Sequence, residues 1–331
     1  MARLKGMLAS LTRARRVSFF DRIEALVRQL PPSDRAIAGA LALVLVISCV
    51  VSLIALERTI LVRVPARGGS FSEGIVGAPR FVNPLLALTD ADRDLVALTY
   101  AGLMGQGPDG LRPVLAERYI VSPDGTIYTF TLRQGITFTD GSPITAEDVV
   151  YTIGKAQDPT LKSPELANWA NIRAEAVDAR TVRFTLPKAY GPFLEGTTIG
   201  ILPEHVWKDI ANQEFPFSPG MQKPVGEGPF KVSGVVRDRA GTITEYELVA
   251  NPAYALGRPY LDSIRLRFYD TTESLQHAYK NHAIESAYGI PAPGARTAPY
   301  SRVFGVFFND ASNEALGQLA VRKALDRKSV V

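Results

Sequence analysis

Residues 36–56 read AIAGALALVLVISCVVSLIAL, 21 residues without a charge, and this run limits what the chain can be more than any other feature. As a helix rising about 1.5 Å per residue it reaches about 30 Å, the thickness of a bilayer's hydrocarbon core. Residues 1–35 carry eight Lys/Arg against three acids. The positive-inside bias therefore places them in the cytoplasm and residues 57 onward outside. A cleaved signal peptide shares this basic-then-apolar pattern. A leader of about 35 residues, an apolar run beyond about 7–15 residues and no clear small-x-small site after it favour a retained anchor.

The N-terminal 35 residues account for a net charge of +5 within a chain total of +4, so the remainder is nearly neutral at −1. Nucleic acid is excluded as the expected partner on that ground. Ahead of the anchor, Ser18–Leu30 places apolar residues at helical spacing, with Ser18 as N-cap and Pro31-Pro32 as the stop. Arg13, Arg15 and Arg16 upstream fit a short amphipathic helix on the inner leaflet, and a plain cytoplasmic tail is the alternative. The one cysteine lies in Val46-Ile47-Ser48-Cys49, which resembles the lipobox of bacterial lipoproteins. Val50–Leu56 stay apolar, which favours a small residue within a membrane helix over a lipid-bearing N-terminus. Either way the chain stays on the membrane, and the exported part has no disulfide or thiol chemistry.

After a stalk at 57–67 the pattern changes to short strands with Gly and Pro turns. Tyr128–Arg133 alternates as a half-buried strand does, and Gln134-Gly135 breaks it. Ile136–Phe138 reads as a second strand, making a hairpin with the first. Asp140-Gly141-Ser142-Pro143 supplies a turn, and Thr145 caps a helix whose first turn holds Glu147 and Asp148.

That run, YTFTLRQGITFTDGSPITAEDVVYT, closely resembles the signature of family 5 solute-binding proteins of bacterial ABC importers for peptides and nickel. Phe130, Leu132, Arg133, Gly135, Phe138, Asp140, Gly141, Pro143, Thr145, Ala146, Asp148 and Val149 match it. Further phrases follow in the family's order: Phe81–Leu85 with its Asn83-Pro84, Leu98–Leu103, Leu111–Glu117, Val177–Leu186, Ile201–Trp207, Pro224–Phe230 and Asn251–Tyr254. The resemblance covers about residues 70–325. It implies an α/β, bilobal, periplasmic-binding-protein-like (class II) fold behind an N-terminal transmembrane helix, closing on its ligand as a hinged clamp. Strands alternating with helices are compatible with two α/β lobes and do not by themselves choose this fold.

By that resemblance the expected organisation is a basic tail at 1–35, an anchor at 36–56, a stalk at 57–67 and a solute-binding domain at 68–331. The implied function is capture of oligopeptides, with nickel second, and delivery to ABC permease and ATPase subunits, without a cofactor. A sensing or surface module without transport, or a non-functional fragment, is the alternative. Candidate ligand-binding residues are Glu73, Gly74 and Val76, whose segment offers backbone groups to an extended peptide, then Asn83, Trp169, Glu227 and Gly228. Trp169, beside Asn168 and Asn171, is either a core residue or a stacking platform. Glu227 stands where the family has Thr, as a carboxylate for a ligand amine or Arg or as a solvent-facing acid. Asn281–Glu285 departs from the family's "G-x-x-D". Phe307–Asn309 and Val321–Leu325 resemble phrases after which family members continue well beyond this length, so an incomplete second lobe is expected.

No enzyme signature competes. His205, His277 and His282 lack metal-ligand spacing, and there is no G-x-S-x-G, P-loop or dinucleotide fingerprint. Asp140, Glu147 and Asp148 are explained by turn and helix-start duties.

Overall fold

The computed structural model describes residues 31–60, 66–290 and 321. The Ser18–Leu30 segment and the phrases at 307–309 and 322–325 lie outside them. The chain divides into two units, Met1–Arg67 and Gly68–Val331.

In the first unit, helix α1 spans Pro32–Ile60, 29 residues. Pro32 opens it, where a missing N–H costs nothing, and Asp34 places a negative charge in the first turn. Pro31-Pro32 therefore starts this helix as well as ending whatever precedes it. Its Pro32–Leu56 stretch is long and apolar enough to cross a membrane, with none of it buried against protein. The helix continues to Ile60, so the first residues of the expected stalk are helical.

Among the described residues the second unit holds three sheets. Strand β1 (Ser70–Val76) leads into helix α2 (Asp90–Thr99). The hairpin β2 (Met104–Gly107) and β3 (Gly110–Pro113) follows. Strands β4 (Ala116–Val121), β5 (Ile127–Leu132), β6 (Arg173–Asp178) and β7 (Thr181–Thr185) form an antiparallel sheet in the order β4-β5-β7-β6. Between β5 and β6 lie helix α3 (Ala146–Gln157) and the single turn α4 (Leu166–Trp169). After β7 come the turns α5 (Phe193–Gly196) and α6 (Glu204–Trp207). Strands β8 (Phe230–Arg237), β9 (Ile243–Ala250) and β10 (Ser263–Tyr269), helix α7 (Thr272–Lys280) and the short β11 (Ser286–Ala287) complete it. The last sheet has the order β11-β1-β10-β9-β8, with β1 parallel to both neighbours.

The alternation at Ile127–Leu132 becomes a strand that buries Tyr128, Phe130 and Leu132 and turns the intervening residues outward. Phe130 meets Phe184 of β7 edge-on at 5.7 Å, and α3 covers them with Ala146, Val149, Ile153 and Ala156, spaced along one helical face. A second core lies between α2 and the β1 sheet, built on Ile75, Leu95, Tyr246, Leu248 and Leu266. Val96 of α2 packs against both cores, so this helix sits where they meet.

One sequence expectation is corrected. Ile136–Phe138 is not a strand paired with β5, whose neighbours are β4 and β7. Gly135 takes φ +73° and turns the chain out of the sheet. The 136–144 segment then closes on itself, Phe138 N–H donating to Ser142 O and Ile144 N–H to Ile136 O, while Ile136, Phe138 and Ile144 drop into the core. Thr145 does cap α3, and the Asp148 carboxylate accepts both its N–H and its hydroxyl.

The buried carboxylate of Asp92 organises the loop before α2. Its Oδ1 accepts the N–H groups of Arg80 and Phe81, at 2.6 and 3.0 Å, and its Oδ2 those of Leu88 and Thr89, at 3.1 and 3.0 Å. Four amides at a helix N-terminus compensate one charge taken out of water. Replacing Asp92 by Ala orphans all four. We expect a loss of about 3 kcal/mol or more in urea unfolding of the full chain in detergent micelles; a loss below about 1 kcal/mol would refute this role.

Candidate functional site

The loop that Asp92 shapes forms one wall of a cavity of about 600 Å³, within the usual range for small-ligand sites. Pro84 lines it from this loop, and Arg93 and Val96 line it from α2. Across from them stand Glu165, Asn168 and Trp169 around α4, and Tyr190, Phe193 and Glu195 around α5. Short Pro-containing turns, Ser163-Pro164-Glu165 and Tyr190-Gly191-Pro192, set both of these walls. Loops on a rigid frame are where ligand contacts concentrate.

Of the residues singled out from sequence, only Trp169 and its neighbour Asn168 line this cavity. Trp169 is 1% exposed, held against Phe184 and Phe193 at 5.8 and 5.9 Å. It is therefore no open stacking platform: the ring belongs to the core. Its Nε1 has no hydrogen-bond partner. The Cζ2 edge of the ring lies against Gly196, itself in the cavity wall. Asn171 lies outside this cavity in a left-handed conformation.

Glu73 and Gly74 are not free to pair with a peptide. β1 is flanked on both sides, by β10 along its length and by β11 at these two residues. The Glu73 carboxylate accepts from Ser286 Oγ, and a side chain at Gly74 would run into Leu275 and Ile284. Pairing with β11 ends at Gly74, leaving Val76 beyond it, 40% exposed. Asn83 is fully buried; its Oδ1 accepts the Leu85 N–H at 2.9 Å, and its Nδ2 has no partner among the described residues. It shapes the turn that presents Pro84 to the cavity.

Glu227 is neither a surface acid nor open to a ligand amine. It is 2% exposed, and its Oε1 accepts the N–H groups of Ala101 and Ile201 at 2.9 and 3.1 Å. Burial pushes its pKa well above the ordinary Glu range, opposed by those two amides. Burial thus favours the protonated form of this carboxyl. Gly226 and Gly228 on either side press against the Thr99 carbonyl group, where any Cβ would clash. Gly228 N–H donates to Thr99 O at 3.0 Å, and Gly228 O accepts from Asn251 Nδ2 at 2.9 Å. These groups are spent inside the fold.

The field near α2 is acidic. Asp94 has its pKa pushed up to about 6, first by burial and then by Glu73 and Asp90, with Arg93 opposing. Arg93 donates to Asp90 Oδ1 at 3.0 Å. His205 pairs with Asp140 at 2.8 Å, joining the turn after β5 to α6. Among the described residues no three His, Cys, Asp or Glu converge as metal ligands.

The α/β fold is of the periplasmic-binding-protein-like class, by its likeness to solved members of that class. Residues 110–327 match the family model of the bacterial extracellular solute-binding proteins, family 5 Middle, and the chain belongs to that family of binding proteins rather than enzymes. The oligopeptide-binding protein AppA of Bacillus subtilis is 26% identical over 290 residues, 81% of this chain and 52% of the relative. Protein XP55 of Streptomyces lividans is 32% identical over 197 residues, 58% of this chain and 34% of the relative. The structure of AppA in complex with a nonapeptide matches with a TM-score of 0.61 at 25% identity, covering 67% of this chain and 44% of that one. NikZ from Campylobacter jejuni in complex with Ni(L-His) matches with a TM-score of 0.59 at 26% identity, covering 66% and 43%. The chain spans between about a third and a half of the length of these curated relatives. The α/β fold implied by the signature at 128–152 is the fold found.

The Glu227 geometry carries a pH dependence. Below the ordinary Glu range the carboxyl is protonated in both the folded and the unfolded chain. As pH rises past that range only the unfolded chain ionises, so its contribution to stability is progressively lost. Glu227→Gln keeps an acceptor for both amides and abolishes the titration. Its melting temperature is expected to vary less between pH 4.5 and 8 than that of the parent. Glu227→Ala is expected to lose about 1–3 kcal/mol for each orphaned amide at every pH. A Gln variant with the parental pH slope would contradict the assignment.

Proposed function

We propose that the chain is a membrane-anchored, extracytoplasmic binding protein that captures oligopeptides and passes them to an ABC permease and its ATPase. The observation that carries this reading is the cavity of about 600 Å³, whose walls combine apolar surface with a few polar groups. Membership in family 5 supports solute binding, and the relative described with a nonapeptide supports peptide over nickel as the ligand class. Helix α1 supplies the anchor, its basic side in the cytoplasm and residues from about 57 onward outside. Binding closes a hinged pair of lobes, and ligand contacts made only in the closed state drive the closure.

Two measurements test this. Alkaline carbonate extraction of membranes from expressing cells is expected to leave the full chain in the pellet at its full mass; release into the supernatant would refute the anchor. Calorimetric titration of the full chain in micelles with mixed tetra- to nonapeptides is expected to give saturable binding with a negative heat-capacity change. Saturation by nickel and by no peptide would overturn the peptide assignment.

A further inference from the structure

The 163–172 wall of the cavity has open space on both of its sides. Glu165, Asn168 and Trp169 line the cavity of about 600 Å³ in front of it. Leu166, Ala170 and Asn171 line a second cavity, of about 460 Å³, behind it. Of the residues in this wall, Trp169 and Ile172 belong to the apolar core, both toward its far end. Its one helix, α4, has four residues and is too short to hold its own position. Both ends of the segment turn at non-glycine residues in the left-handed region, Lys162 at φ +56° and Asn171 at φ +62°. Such conformations persist where surrounding bonds over-determine them.

Two side chains outside the lining of the first cavity supply those bonds. Ser163 is buried at 6% exposure, and its hydroxyl works in both directions. Oγ donates to Leu85 O at 2.7 Å and accepts the Glu165 N–H at 3.1 Å. The Leu85 N–H is held in turn by Asn83 Oδ1 at 2.9 Å, so the turn that carries Pro84 and the start of the facing wall are joined through one peptide unit and one hydroxyl. At the far end, Gln157 of α3 spends both amide hydrogens on the wall, Nε2 donating to Trp169 O at 2.7 Å and to Ile172 O at 2.6 Å. Buried or half-buried hydrogen bonds of this kind are costly to leave unmade.

We infer that Ser163 and Gln157 are positioning residues that fix the 163–172 wall between the two cavities and thereby set the size of side chain the site admits. Neither touches the ligand. Releasing either one lets the wall move back into the space behind it, which widens the front cavity toward bulkier side chains. This rests on the reading of the front cavity as the peptide site and adds what determines its size selection.

The test compares the full chain in micelles with its Ser163→Ala and Gln157→Met variants, the second keeping the length of the side chain without its donors. Each is titrated with two pentapeptides identical except for a central Ala or Trp. In both variants the ratio of affinities is expected to shift toward the Trp peptide by about threefold or more. A general loss of stability weakens both peptides alike and leaves that ratio unchanged. Hydrogen exchange without peptide reads the wall itself: amides of residues 165–172 are expected to exchange about tenfold faster in each variant, while those of β5 keep the parental rate and report an intact fold. Parental exchange across 165–172 in both variants would overturn the positioning role. Faster exchange with an unchanged affinity ratio would overturn the size selection while leaving the peptide site standing. Binding of neither peptide by the parent would overturn the peptide site itself, and the size selection with it.

Discussion

The buried carboxyl of Glu227 sits where the chain passes from one core to the other, and much of the geometry depends on it. One oxygen holds the amides of Ala101 and Ile201, so the segment before β2 and the approach to α6 are fixed to the segment that crosses between the cores. The glycines on either side let the backbone lie against Thr99 at the end of α2. A charged carboxylate here would lack compensation for its second oxygen, which has no partner among the described residues. Burial accordingly shifts this group toward its protonated form. Asp92 solves the same problem differently, with four amides gathered around a carboxylate at a helix N-terminus. Asp92 thus ties the 80–89 loop to the start of α2, and Glu227 ties the segment after α2 to the approach to α6.

Much of the frame was legible because it follows local rules. Period-two alternation marked β5, Thr145 with Asp148 marked the start of α3, and the uncharged run marked α1. Ile136–Phe138 misled because an apolar–polar–apolar triplet fits equally a strand or a loop whose apolar residues fill a core. Its hydrogen bonds close within the loop instead. The twelve-residue match to the family signature supplied what periodicity could not, the choice of this α/β fold.

The site was much less legible. Glu73 and Gly74 read as an open strand because nothing local reveals that β11, more than two hundred residues on, pairs with them. Glu227 read as a site acid or a surface acid because the amides that bury it come from distant segments. Trp169 read equally as a core residue or a stacking platform, because its packing on Phe184 and Phe193 comes from segments distant in sequence. Glu165, Tyr190 and Glu195 were missed altogether, although the Pro-containing turns that carry them are a usable signal. The resemblance located the family's phrases, which here mostly build the frame, while the residues lining the cavity, Pro84 apart, lie between those phrases.

Hydrogen exchange on the full chain, with and without saturating mixed tetra- to nonapeptides, tests the central claim most directly, because it reports where a ligand sits without any substitution. Slowed exchange is predicted for amides of residues 165–169 and 190–200, the two turn-built walls of the cavity. Unchanged exchange there, with protection confined to segments such as 72–77, would contradict the account and return the site to the edge of β1.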